Sequence, residues 1–500
     1  MVNLSAYIRW HALREPQRPA LHYLGQTLSY DDLWQRTQRT AALLASRNIG
    51  ADDVVAVMMK NSAAFMEIAL AVSHLGAVFL PLNFRLSRDE VDYILDHAGA
   101  VLVLADDDYA EVLADREPIL LDTAAQSDST RLVPDELPVP PCVPRQPEDT
   151  YRLMYTSGTT DRPKGVVHTY QNFYFKNMEH AIVLGYHRDT RALVAGPLYH
   201  VGGSDAPGFG GFWFGAYLVL LREFDEPAVF EAIDQHRLEV GWMAPAMINR
   251  LLTHPDRDAY DISHFQWCLG GGEKTPLARI RSFQELFSGG RYIDAYGLTE
   301  SCAGDTFMEP GRELEKAGST GTPTPHVQVE IRNEDGVALA PHEEGEVCLR
   351  GPKITGGYLK DPARNAASFF ADGWFRTGDV GYLDDEGFLT LTDRKKDMII
   401  SGGENIASSE VERVIYELPQ VAECAVIGVP DERWGERPEA VVALRPGTTL
   451  DLDALQRHCR EHLAGFKLPK ALHQVEALPR NPSGKVLKRV LREQFAAEAG

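Results

Sequence analysis

Between Ser29 and Ala105 the chain alternates between two hydrophobic periods, and this alternation limits the open folds more than any other feature. Ser29-Tyr30-Asp31-Asp32 opens a helical pattern that runs through Leu44, and Val54 to Met59 is a buried-strand run. Ala63 to Leu75 is helical again, while Ala77 to Leu80 and Val101 to Ala105 are strand-like. Helices interleaved with short β-branched runs predict layered α/β structure with mostly parallel pairing. The proline-rich segment from Pro134 to Pro147 ends the pattern and acts as a connector. It leads into a short strand, Tyr151 to Tyr155, and then into the loop Thr156-Ser157-Gly158-Thr159-Thr160-Asp161-Arg162-Pro163-Lys164-Gly165.

That loop supplies hydroxyl donors, backbone N–H groups free to turn toward a ligand, and one mobile cation, an inventory suited to polyphosphate oxygens. It is not a Walker loop, because Lys164 sits behind a proline and no Ser or Thr follows it. A surface turn rich in Ser, Thr and Gly has the same composition, so the loop by itself leaves both readings open.

Beyond it, Val166 to His187 reads as a helix, and Ala192 to Val194 leads into Gly196-Pro197-Leu198-Tyr199-His200-Val201-Gly202-Gly203. The alternation resumes through Trp242 to Pro245, Cys268 to Glu273 and Tyr292 to Tyr296. From about Gly318 the periods shorten, with strands at Val327 to Arg332, Gly345 to Arg350 and Phe388 to Thr392, which suggests a small β-rich, barrel-like subdomain. A second change falls at Asp393-Arg394-Lys395-Lys396-Asp397. After it come a helix from Ser408 to Glu417, strands near Ala425 to Val429 and Ala440 to Leu444, and a helix from Leu452 to Leu463. The expected fold class is therefore α/β. A large N-terminal domain of layered sheets (1–393, β-rich from about 318) is followed by a junction at 394–396 and a separate, mobile α+β domain at 397–500.

Composition narrows the partners. With 44% hydrophobic residues, 500 residues can bury a large core. A net charge of -22 argues against nucleic acid and against adsorption to anionic lipid, while leaving room for a local basic pocket. Six scattered cysteines without a CxxC pair or zinc spacing suggest reduced thiols and a cytoplasmic setting. Met1 to His11 lacks a basic segment followed by an apolar core, so no secretory signal is expected. The longest apolar run, Phe65 to Leu82, contains Glu67 and His74 and breaks at Gly76 and Pro81, which excludes a membrane span there.

Further stretches carry chemistry. Gly270-Gly271-Gly272-Glu273-Lys274-Thr275-Pro276 is a glycine-rich turn where backbone can approach a flat ligand, or a plain turn. In Tyr296-Gly297-Leu298-Thr299-Glu300 the carboxylate suits a hard cation, or favours a helix dipole. Trp374-Phe375-Arg376-Thr377-Gly378-Asp379, Ser401-Gly402-Gly403-Glu404-Asn405-Ile406 and Pro479-Arg480-Asn481-Pro482-Ser483-Gly484-Lys485 complete the set. With the loop at 155–165, these stretches in this order resemble the signatures of the AMP-forming acyl-adenylating superfamily: acyl-CoA synthetases, stand-alone adenylation domains and beetle luciferases. The resemblance spans nearly the whole chain and is nearest to fatty-acid and aryl-acid CoA ligases. It departs at Asp161, where the family usually has glycine.

The resemblance implies ATP, Mg2+ and coenzyme A as cofactors and co-substrates. Thr156, Ser157, Gly158, Thr159, Thr160 and Lys164 would surround the triphosphate, and the backbone of Gly272, Glu273 and Lys274 would meet adenine. Tyr296 would pack on adenine beside Gly297, Thr299 would contact the α-phosphate, and Glu300 would hold Mg2+. Asp379 would accept both ribose hydroxyls, Arg394 would touch ribose or phosphate, and Lys485 would bridge the carboxylate and the α-phosphate. Either Asp379 or Arg394 could instead make a structural ion pair. Thr156, Lys164, His200, Glu300 and Lys485 form the expected catalytic group. Lys396 matches the family hinge, and Ser401, Gly402, Gly403 and Glu404 match the segment that meets the pantetheine arm.

The acyl site is expected around Tyr199, His200, Gly203, Asp205 and Trp242. Glycine-aromatic alternation from Ser204 to Trp213 reads equally as an acyl slot or as tight helix packing. Asp205 reads as a helix cap or as a hydrogen-bond acceptor for substrate. The implied function is an acid–CoA ligase working through an acyl adenylate on a small carboxylic acid, with a medium- or long-chain fatty acid first. An aryl acid, or an adenylation enzyme that loads a carrier protein, are the alternatives. Neither nucleic acid nor integral membrane association is expected, and both a monomer and a homo-oligomer remain open.

Overall fold

The computed structural model describes the chain except residues 1, 125–136, 157–162, 272–274, 276, 395–396, 402–403, 432–433, 481–485 and 497–500, and gives backbone alone at 393, 394, 404, 405, 435 and 496. Two compact units emerge: Met1–Gln328 with Leu349–Phe375, and Val329–Cys348 with Arg376–Gly500.

The first unit is built on two sheets. Six strands run in the order Ile119–Leu121, Ala100–Asp106, Val54–Met58, Val78–Pro81, Thr150–Thr156, Lys164–Thr169. All pairs are parallel except the last, in which Thr156 lies opposite Lys164. The second sheet has nine strands and a parallel centre of Arg291–Tyr296, Trp267–Gly271, Val240–Trp242, Arg191–Val194, Tyr217–Leu220 and Pro19–Tyr23. Every residue of the helix Ala63–His74 is buried, and Glu67 within it is neutralised by Arg36 at 3.1 Å. The longest apolar run of the sequence is therefore an interior helix and the strand after it, as a charge-interrupted run of that length implies.

Two local signals set these elements. Ser29 and Asp32 form a reciprocal capping box that starts the helix Tyr30–Ser46. The helix expected from Val166 begins only at Tyr170, because Thr169 and Asn172 form the capping box there. Residues Lys164–Thr169 before it are a strand on the antiparallel edge, as their paired valines favour.

The second unit carries a sheet of Gln328–Arg332, Gly345–Arg350, Phe375–Leu383 and Leu389–Arg394 for most of its length. It also holds a sheet in which Val421–Asp431 and Gly435–Leu444 form a long hairpin. Helices Ser408–Ile415 and Leu452–His462 bury Val411, Val414, Ile415, Leu455 and Cys459 in one core. Among the described residues, no helix is long and apolar enough to cross a membrane.

Candidate active site

Three signature loops leave the carboxyl ends of strands: one after Thr156, one after Gly271 and one after Tyr296. In open α/β sheets this is the edge where ligands bind. Gly270 and Gly271 owe their identity partly to packing. A Cβ on Gly270 would lie 2.1 Å from the Tyr292 hydroxyl, and one on Gly271 would lie 2.7 Å from the Ala295 carbonyl. Tyr292 in turn bonds Thr275 at 2.9 Å.

Lys164 and Glu300, 136 residues apart, meet at 2.9 Å. Tyr358, which the sequence reading did not single out, completes a triangle. Its hydroxyl accepts from Lys164 Nζ at 2.8 Å and donates to Glu300 Oε1 at 2.9 Å. Burial alone would raise the Glu300 carboxyl, but the Lys164 ammonium beside it outweighs that and holds it below the usual carboxylate range. Glu300 is thus an anion on a buried loop. The segment around Tyr358 braces both partners: Thr355 N–H donates to the Glu300 carbonyl at 2.7 Å, and Leu359 N–H donates to the Gly165 carbonyl at 2.8 Å.

Glu300 sits in the short helical turn Thr299–Ser301, and the chain then passes through three successive left-handed residues, Cys302, Ala303 and Gly304. Non-glycine residues pay strain for that conformation, so the turn persists only where surroundings enforce it. Here Lys353, fully buried between Glu179 at 3.0 Å and Asp305 at 3.2 Å, donates to the carbonyls of Ala303 and Gly304. Gly297 is needed at the turn's entry, since a Cβ there would meet the Gly304 amide at 2.2 Å. Tyr296 is buried at the strand end.

A second brace reaches Thr299 from behind. Asp205 and Arg152 form a buried bidentate pair, with Nη1 to Oδ1 at 2.7 Å and Nη2 to Oδ2 at 2.6 Å. Arg152 Nη2 also donates to His168 Nδ1 at 2.9 Å. Arginine has only donors, so that nitrogen accepts and the proton resides on Nε2, which donates to the Thr299 carbonyl at 2.7 Å. Burial, reinforced by Arg152, pushes His168 down to about 3, so it stays neutral. For Asp205 the burial effect is upward, but Arg152 and Lys176 outweigh it and keep the carboxyl below its ordinary range. Asp205 therefore neither caps a helix nor faces substrate: its carboxylate is committed to Arg152. This corrects its expected place in the acyl pocket.

The other acyl-site candidates divide. His200 and Trp242 come together, ring centroids 5.8 Å apart, and the Trp242 indole fills the space over Gly196 and Gly202, where a Cβ would lie within 2.5 Å of the ring. Tyr199 packs edge-on against Phe84 at 5.4 Å. Gly203 lets its turn approach the Pro197 carbonyl, and a Cβ there would clash at 2.5 Å. Gly210 and Gly211 abut the Asp205 carbonyl and the Leu218 side chain, so the glycines of this stretch serve packing, not an open slot. Residues 204–208 form one wide helical turn that contains Pro207.

Thr156 Oγ1 is buried and finds no partner among the described residues. An orphaned hydroxyl at the mouth of the loop, with a lysine and an ionised carboxylate nearby in the fold, suits an anionic ligand that carries a hard cation.

In the second unit, Asp379 is buried after a left-handed Gly378 and is the backbone partner of Arg394 across an antiparallel pair. Glu346 organises this turn, accepting from Arg376 Nη2 at 2.9 Å and from Gly378 N–H at 3.1 Å. Ser401 is buried in a strand that pairs antiparallel with Glu404–Ile406. Ser157, Gly158, Thr159, Thr160, Asp161, Gly272, Glu273, Lys274, Lys396, Gly402, Gly403 and Lys485, and the side chains of Arg394 and Glu404, lie outside the described residues.

Parallel-strand loops that gather a lysine, an ionised buried carboxylate and a braced backbone turn define a layered α/β enzyme. Residues 8–359 match the family described as AMP-binding enzyme, and residues 410–485 match the AMP-binding enzyme C-terminal domain. The chain belongs to the AMP-binding enzyme family. It is 36% identical to a feruloyl-CoA synthase of an Amycolatopsis species over 97% of both chains. It is likewise 36% identical to a long-chain-fatty-acid–CoA ligase of Mycobacterium tuberculosis over 99% of both. Among solved structures, o-succinylbenzoate CoA synthetase from Bacillus subtilis, in complex with its acyl-adenylate intermediate, superposes with a TM-score of 0.89 at 33% identity, covering 97% of each chain.

Proposed function

We propose that this chain, an AMP-forming acid–CoA ligase, activates a hydrophobic monocarboxylic acid at the Lys164–Glu300–Tyr358 site and passes the acyl group to the thiol of coenzyme A. The meeting of Lys164 with an ionised Glu300 is the observation that carries this reading. In the first half-reaction a carboxylate oxygen of the acid attacks the α-phosphorus of ATP and pyrophosphate leaves. Both reactants are anions, so the site must supply charge neutralisation and alignment. Lys164 would exchange Glu300 for phosphate oxygens, Thr156 would give its hydroxyl, which has no partner among the described residues, to the same group, and the turn held by His168 and Lys353 would present Thr299 and Glu300. Glu300 would hold Mg2+, which when bound offsets the negative charge of the phosphates.

In the second half-reaction the thiol attacks the acyl carbonyl and AMP leaves. The junction at 394–396 would serve as the hinge between the two steps, with Lys485 assisting only the first. The Lys485→Ala variant is accordingly expected to lose adenylate formation while still converting a supplied acyl adenylate to thioester. Equal loss of both half-reactions would refute that division.

For the acid itself, a flat aryl acid is the first reading: the Trp242 indole already fills the space over Gly196 and Gly202 beside His200, and a rigid ring there would stack on a planar acid more readily than it would admit a long chain. A medium- or long-chain fatty acid is the second reading, supported by the 36% identity to the mycobacterial ligase. Acid-dependent exchange of pyrophosphate into ATP, run over aryl, fatty and dicarboxylic acids, decides between them. The aryl reading fails if chain length, and not ring planarity, sets the rate.

A further inference from the structure

On the helix Leu452–His462, His458 and His462 stand four residues apart, one helical turn, and so share a face. Their rings lie 5.3 Å apart. Glu417, just past the helix Ser408–Ile415, reaches the same place. One ligand atom from each of Glu417, His458 and His462 falls within 4.8 Å of the other two. We propose that these three side chains form a binding site for a divalent transition metal of the Zn2+ type on the face of the second unit.

The ligand set and its spacing match that class. Two imidazoles one turn apart and a carboxylate from a second segment give three donors, leaving a fourth tetrahedral position for water. Nitrogen-rich donors favour Zn2+ and its neighbours over Mg2+ or Ca2+, which need oxygen ligands and larger coordination numbers.

A second, independent feature sets the tautomer. His458 Nε2 lies 2.9 Å from the Val414 carbonyl oxygen. A carbonyl only accepts, so Nε2 carries the proton and the lone pair is left on Nδ1, the arrangement that metal-bound histidines adopt through a backbone or carboxylate partner. The same Val414 carbonyl also accepts the Glu417 backbone N–H at 3.2 Å, so one backbone group fixes the positions of two of the three ligands. Behind the site, Val414, Ile415, Leu455 and Cys459 are buried together, which holds the two helices in register without metal. Among the described residues, the competing ion pair is weak: Arg413 Nη1 lies 3.4 Å from Glu417 Oε1, and both side chains are about half exposed. Metal bound here would tie the segment after Ser408–Ile415 to the last turn of Leu452–His462.

The test uses the full-length chain without an affinity tag, stripped with chelator and titrated with Zn2+ by calorimetry and with Co2+ by visible absorption. Wild type is expected to bind one equivalent and to give the intense d–d bands of four-coordinate Co2+. His462→Ala should weaken binding at least tenfold and His458→Gln/His462→Gln should abolish it. Glu300→Gln, which alters the expected Mg2+ ligand in the other unit, should leave the equivalent intact. Helical circular dichroism equal to wild type shows that the histidine variants fold, as their exposed or half-buried positions lead one to expect. Wild-type binding no tighter than that of the double histidine variant, or an equivalent lost with Glu300→Gln and kept in the histidine variants, overturns the proposal.

Discussion

Replacing Asp205 with alanine would strip the counter-charge from a guanidinium that has no route to water. Arg152 is 2% exposed and Asp205 is 0% exposed. Without the carboxylate, the hydrogen-bond partners left to Arg152 among the described residues are the neutral His168 nitrogen and the Ser204 hydroxyl. A buried ion pair broken on one side costs about 3–5 kcal/mol, against a total stability of about 5–15 kcal/mol for a typical protein. Removing both charges at once, as Arg152→Met/Asp205→Leu, takes away the stranded guanidinium but still costs His168 Nδ1 its donor and Lys176 its nearby carboxylate, so the double variant should be more stable than Asp205→Ala and less stable than wild type. Urea unfolding followed by tryptophan fluorescence reads this directly, because six of the seven tryptophans lie in the first unit. Function should part from stability in the double variant. His168 would no longer be held through Nδ1, the Thr299 carbonyl would lose its fixed donor, and KM for ATP should rise even though stability is partly restored. Asp205→Ala within about 1 kcal/mol of wild type, or a double variant no more stable than the single, would refute the reasoning.

Glu300→Gln keeps the shape and the Tyr358 hydrogen bond but removes the charge, so adenylation should fall about 100-fold or more and need higher Mg2+, measured by pyrophosphate exchange across a Mg2+ series. Trp242→Ala empties the space over Gly196 and Gly202 and should raise kcat/KM for long-chain relative to aryl acids by roughly tenfold, read from paired substrate assays. Lys176, buried with its Nζ 2.7 Å from the Asp205 carbonyl, is pushed down to about 8 by burial. Unfolded, the amine keeps its proton up to about 10.5, so between pH 8 and 10.5 the unfolded chain carries more protons and this group's contribution to stability rises with pH. The stability difference between wild type and Lys176→Met should therefore shift by roughly 3 kcal/mol in favour of wild type across that window, measured by urea unfolding at each pH.

What could be read from the chain alone follows the range of the interactions. The alternation of periods over Ser29 to Ala105 is local, and it gave parallel layers because strand and helix periodicity are set by neighbours in sequence. Loop chemistry was equally legible, since hydroxyls, glycines and a lysine announce themselves by type. Partners distant in sequence were not. Nothing near Tyr358 marks it as the third corner of a site with Lys164 and Glu300, and nothing near Arg152 or His168 marks a relay to Thr299. Asp205 misled because an acid beside glycines looks available, whereas its partner enters from a strand 53 residues earlier. Val166 to Thr169, expected as the start of a helix, belong to the strand Lys164–Thr169, and the capping box of Thr169 and Asn172 marks where the helix begins.

The central claim, that one nucleotide site makes an acyl adenylate and then an acyl thioester, is tested most directly by product analysis after incubating the chain with ATP, Mg2+, coenzyme A and an accepted acid. AMP, pyrophosphate and acyl-CoA in equal amounts is the result expected. ADP with inorganic phosphate would contradict it.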